Sequence, residues 1–120
     1  MTETYDSVLD RIGAFNAATE SLSKGRAQEV RCEVPSRPGA WLLLARSEDN
    51  YRISLPADAI LETQVGALST MGFRLQGDIF VREVRKAERS WTVASQLEDI
   101  LADVMGLPAD VAIAVETSAG

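Results

Sequence analysis

The chain has 120 residues, one cysteine, no histidine and a formal net charge of −6. Its length suits one domain whose core needs neither disulfide nor metal, and its apolar content of 46% with 25% charged residues is ordinary for a globular chain. The lack of histidine removes Ser/His and Cys/His dyads and every histidine-bearing metal site, while the acidic balance disfavours nucleic acid, which is bound by cationic neutralisation.

Residues 3–22 place Tyr5, Val8, Leu9, Ile12, Phe15 and Leu22 at helical spacing with charged or small residues between them. The pattern predicts an amphipathic helix that tolerates Gly13 at a cost of about 1 kcal/mol relative to alanine. "SKG" at 23–25 supplies the stop, since Gly25 can take the left-handed conformation. The opening "MTETYDSVLDRIG" lacks the basic start and apolar run of a signal peptide. No apolar stretch approaches a membrane span. Together with the lone thiol, this makes cytoplasm the expected location.

A period of two follows. "EVRCEV" alternates apolar and charged residues, the pattern of a half-buried strand, and Cys32 falls in step with Val30 and Val34. It reads as a small core residue, because a catalytic thiol needs a base and a suitable environment. Pro35 and "RPG" at 37–39 break the strand. "AWLLLARS" is apolar on both faces from Trp41 to Leu44, so a more central strand is expected. "EDN" at 48–50 turns the chain into "YRISLP", completing an antiparallel meander of three strands.

After Pro56 the helical period returns. Asp58 is a candidate N-cap, Leu61, Val65 and Leu68 form one stripe with Ile60 and Met71 at its flanks, and Gly72 marks the end. "FRL" and "IFVREV" read as strands paired around "QGD". "RKAER" is a polar connection to Ser90, a candidate N-cap for a last helix whose Val93, Ala94, Leu97, Ile100, Leu101 and Val104 share a face. Gly106 and Pro108 end it. "VAIAVE" at 111–116 has the composition of a further, terminal strand, and the last residues are expected to fray. The order α-β-β-β-α-β-β-α, with this candidate C-terminal strand, indicates one α+β domain. Its antiparallel sheet carries helices mainly on one face.

Clusters with chemical potential have plainer readings. Glu98, Asp99 and Asp103 read as a solvated helix face opposite the apolar stripe, which supplies no facing pair for acid–base work. Arg82, Arg85, Lys86 and Arg89 make a local basic spot, diluted by glutamates and best read as a soluble loop. Gly66, Gly72 and Gly77 lack the strand–loop–helix context of a dinucleotide fingerprint. Trp91 is expected in the core or at its edge, while Trp41 suits core and interface equally. No nucleophile–base constellation stands out, so the chain reads as a non-enzyme without cofactor or metal. Both faces of "WLLL" are apolar, and one layer of helices covers one sheet face. The surplus points to self-association or peptide binding.

The element order, with "LSTMGFRLQGDIFVREV" and "TVASQLEDILADVMGL", resembles the bacterial YbjN and type III secretion chaperone-like group (TY-Chap). The likeness spans roughly residues 28–107 and is closest over 60–107, carried by a "GF" pair at a helix end, a short hairpin and a closing amphipathic helix. It implies a small, cofactor-free cytosolic protein that dimerises and holds an extended client segment. By position, the resemblance puts the dimer interface at Leu61, Val65, Leu68, Phe73 and Leu75. It puts the client surface at Phe15, Val30, Trp41, Leu43 and Ile53. The candidate strand at 111–116 departs from the group's pattern and could occupy an edge or groove that a client needs. The expectation is a chaperone-like module binding a protein or peptide client as a homodimer. A structural or regulatory homo-oligomer without a client groove stands beside it.

Overall fold

The structure, a computed structural model, describes residues 4–48, 50–85 and 88–118. Asp49 of the "EDN" turn, Lys86 of the basic spot and the last two residues of the expected frayed end lie outside them. In chain order the elements are β1 (Thr4–Tyr5), α1 (Val8–Ser23), β2 (Glu29–Glu33), β3 (Trp41–Ser47), β4 (Asn50–Pro56), α2 (Val65–Thr70), β5 (Arg74–Gln76), β6 (Ile79–Arg85), α3 (Ser90–Asp99) and β7 (Ile113–Ser118). The strands form one sheet in the order β1-β7-β2-β3-β4-β6-β5, with antiparallel neighbours throughout. Helices α1 and α3 pack side by side over one face. This is the α+β layout that the alternating periods indicate.

The sequence rhythm accounts for most of these elements. On β2, Val30 and Cys32 point into the core while Glu29, Arg31 and Glu33 are exposed. On β3, Leu42 and Leu44 are core residues and Trp41 and Leu43 take the opposite face. The whole predicted stripe of α3 is buried; full burial of each large member is worth roughly 1.5–3 kcal/mol before entropy. Gly77 has φ +66 at the first central position of the β5–β6 turn, as a type II′ hairpin requires. No helix among the described residues is long and apolar enough to cross a membrane.

Four expectations need correction. Tyr5 is not in the first helix. It pairs with Ile113 in the sheet, and the helix starts after Ser7, whose Oγ accepts from the Asp10 amide at 3.1 Å. The buried face of α1 is therefore Arg11, Phe15, Ala18, Thr19 and Leu22, leaving Val8 and Leu9 exposed. The helix expected from Asp58 to Gly72 is broken into two 3₁₀ turns (Ala57–Ala59 and Glu62–Gln64) and the short α2. The break falls at Ile60–Leu61, where the Leu61 amide donates across the fold to the Val104 carbonyl at 3.0 Å; Asp58 makes no capping bond. Ser90 is the first helical residue of α3 rather than its cap. Trp91 is 54% exposed and not part of the core.

Beyond Asp99, α3 widens into a π-helical turn over Ile100–Val104, with the Met105 amide donating to the Ile100 carbonyl at 2.9 Å. Gly106 follows with φ +68, and a side chain there would meet Leu61 Cδ1 at 2.8 Å. The positive φ favours glycine at that crossing, and any side chain would have to push the tip of Leu61 aside. The chain then turns into β7, which lies between β1 and β2 as an interior strand.

Candidate functional site

The covered face is held by a buried ion pair. Arg11 of α1 and Glu98 of α3 lie side by side, with Nη2–Oε1 at 2.7 Å and Nε donating to Oε2 at 2.9 Å. The remaining donors reach the Ala109 and Val111 carbonyls, each at 2.8 Å. One guanidinium thus ties both long helices to the segment that leads into β7. The hydrogen bond to Glu98 raises the Arg11 pKa, against the opposing effect of burial. Glu98 therefore does not belong to the solvated face, although Asp99 and Asp103 do. Cys32 is a free core thiol whose pKa is pushed up to about 12, chiefly by burial and then by the charge of Glu98. A thiol so placed is a poor nucleophile near neutrality.

The other face carries no helix among the described residues. Residues directly opposite in antiparallel strands share a face, so the register puts Arg31, Leu43, Ser54, Val81 and Arg74 in one row across β2, β3, β4, β6 and β5. Glu33 lies opposite Trp41 in the next row. Val81 and Ser54 are buried here, and Trp41 and Leu43 are half-buried. Long charged side chains cover part of the apolar surface, as their alkyl stems allow. The Arg31 guanidinium carbon lies 5.4 Å from the Trp41 ring centroid, and Arg31 Nε donates to Glu33 Oε1 at 2.8 Å.

Beside this group opens a cleft of about 420 Å³ lined by Arg31, Glu33, Pro35, Pro38, Gly39 and Trp41, among others. Its outer wall, the 34–40 connection, is pre-formed. The Val34 amide donates to the Ala40 carbonyl at 3.3 Å, and the Arg37 amide donates to the Val34 carbonyl at 2.9 Å. Arg37 Nη1 also donates to the Met105 carbonyl at 2.7 Å, a cation at the end of a helix where carbonyls lack partners.

The expected client residues divide between the two faces. Phe15, Val30 and Ile53 are core residues of the folded chain, each at most 3% exposed. Phe15 lies on the buried face of α1, and Val30 and Ile53 lie on the sheet face that α1 and α3 cover. Only Trp41 and Leu43 are accessible, and they are neighbours on the helix-free face. The expected interface residues divide as well. Leu68 and Phe73 are buried within the chain, whereas Leu61, Val65 and Leu75 are among its exposed large apolar residues. Sequence reasoning missed Arg31, Glu33, Pro35 and Pro38 as a group. The available signal was the charged alternation of "EVRCEV", which needed the strand register to set Glu33 against Trp41.

In the basic spot, Arg82 Nη1 donates to Gln96 of α3 at 3.1 Å, while Arg85 and Arg89 are exposed. Comparison with protein-family models, characterised proteins and solved structures yields no match for this chain.

Proposed function

We propose that the chain is a non-enzymatic, chaperone-like module that holds a peptide segment of a partner protein. It acts in the cytoplasm as a homodimer. The observation that carries the reading is the pre-formed cleft beside Trp41 and Leu43 on a sheet face without helices. A wall held by its own hydrogen bonds reduces the ordering cost of binding, and the cleft volume falls in the range of ligand pockets. The resemblance of the "GF" helix end, hairpin and closing helix to the YbjN and secretion chaperone-like group supports the same reading.

Exposed Leu61, Val65 and Leu75 support dimerisation around α2 and β5, where β5 is one of the two edge strands of the sheet. Val65→Glu should leave the fold intact and yield monomers in light scattering, because a buried carboxylate disfavours the interface. An unchanged dimer would contradict this placement. The client reading is tested by affinity co-purification from native cells, followed by mass spectrometry. A near-stoichiometric companion lost from the Trp41→Ala variant is expected. A companion that ignores that change would contradict the cleft as its seat.

The second reading is a structural or regulatory oligomer without a client groove. It draws on the burial of Phe15, Val30 and Ile53 and on β7 filling the flank of β2. It predicts a clean homodimer with no companion. It also predicts that Trp41, accessible in the single chain, is covered in the oligomer and resists fluorescence quenching once Trp91→Phe removes the other indole.

A further inference from the structure

The slot between Trp41 and Glu33 is filled by a guanidinium, that of the chain's own Arg31. Its ring contact and carboxylate contact together define what the slot recognises: a planar cation that lies on an aromatic surface and hydrogen-bonds a carboxylate. This occupant is loosely held. The Arg31 and Glu33 side chains are 46% and 59% exposed, and a surface pair of this kind is worth little. Glu29 precedes Glu33 on the same side of β2, and Glu116 of β7 lies opposite Arg31. The positions flanking Arg31 on that side of β2 are both acidic, as is the chain as a whole at −6, and such a field draws cationic partners.

We infer that the cleft takes an arginine-bearing extended peptide whose guanidinium replaces that of Arg31 on Trp41 and Glu33. This rests on the peptide-holding reading and specifies its ligand. The flanking residues of the peptide lie along Pro35, Pro38 and Gly39. Arg31 is an internal competitor that must swing into solvent when the ligand docks. This assigns Arg31 a role opposite to that of an ordinary binding residue: removing it strengthens binding.

The test uses the blocked peptide Ac-Gly-Leu-Arg-Leu-Gly-NH2 and its counterpart with glutamate at the centre. Binding is followed by Trp41 fluorescence in the Trp91→Phe background and by the chemical shift of the Trp41 indole N–H. Saturable binding of the arginine peptide alone is expected, about two- to fivefold tighter in Arg31→Ala and about two- to fivefold weaker in Glu33→Gln, the worth of one exposed ion pair. Both positions are exposed, and thermal melts establish that the variants fold. Equal affinity across the three proteins, weaker binding in Arg31→Ala, or equal binding of the glutamate peptide would overturn the inference. If a co-purified companion binds both variants as it binds the parent, this inference fails and the peptide-holding reading stands. If no companion is recovered and neither peptide saturates, both fail.

Discussion

Two Arg–Glu pairs with nearly equal N–O separations, 2.7 Å for Arg11–Glu98 and 2.8 Å for Arg31–Glu33, lie on opposite faces of one sheet. The first has side chains 2% and 8% exposed, the second 46% and 59%. Distance alone would rank them equal, yet environment separates their roles. Beneath the helices, each charge has lost its water, and the pair is tolerated because the carboxylate and two backbone carbonyls replace it. On the open face water competes with both partners, so the contact is exchangeable. One pair therefore belongs to the architecture, and the other is placed where a ligand can enter.

The largest effect that tests this contrast comes from Arg11→Met. It leaves Glu98 buried and unpaired, and should cost about 3–5 kcal/mol in urea unfolding. Adding Glu98→Leu should recover most of that loss, since two apolar side chains can replace a buried pair of similar volume. A single change that costs under about 1 kcal/mol would break the comparison.

Cys32 sharpens it from within one strand, because it points under the helices between exposed Arg31 and Glu33. Its folded-state pKa of about 12 lies above the ordinary value of 9.0. The neutral thiol is favoured by folding, so its contribution is complete below pH 9 and is lost as pH rises through about 12. Stability relative to Cys32→Ala should fall across that window and stay level below it. A thiol reagent at pH 8 should label the chain only after denaturant is added.

Smaller effects belong to the open surface. Glu48 has φ +50 in the β3–β4 turn, a conformation that disfavours a side chain. Glu48→Gly should stabilise by no more than about 0.5–1 kcal/mol, the relief of that strain less the entropy of glycine and the loss of the interaction that the Glu48 side chain makes. Smallest is Arg31→Ala, which should change stability by no more than about 0.5 kcal/mol while altering peptide affinity. A large stability loss there would make the exposed pair structural and erase the contrast.

What the sequence revealed was local. Alternation in "EVRCEV" and "YRISLP", the α3 stripe, and the stops at Gly25 and Gly72 all depend on neighbours a few residues apart, and each appears in the fold. What it concealed depended on partners far along the chain. Tyr5 joins the sheet because Ile113 is beside it, and Leu61 leaves the helix because the Val104 carbonyl needs a donor. Glu98 was hidden by its type rather than its spacing. It stands four residues after Ala94 and three before Leu101, within the buried stripe, just as Arg11 stands four before Phe15. A charge of each sign on two buried stripes is the mark of a pair. The cleft was less legible, since Trp41 and Glu33 meet only through strand register.

The central claim is that the covered face builds the fold and the open face receives the partner. Its most direct test is the hydrogen-exchange footprint of the co-purified partner on this chain. The account predicts added protection over 31–45, on β2, the 34–40 connection and β3, with α1 unchanged. Protection confined to α1, with 31–45 exchanging as in the free protein, would contradict it.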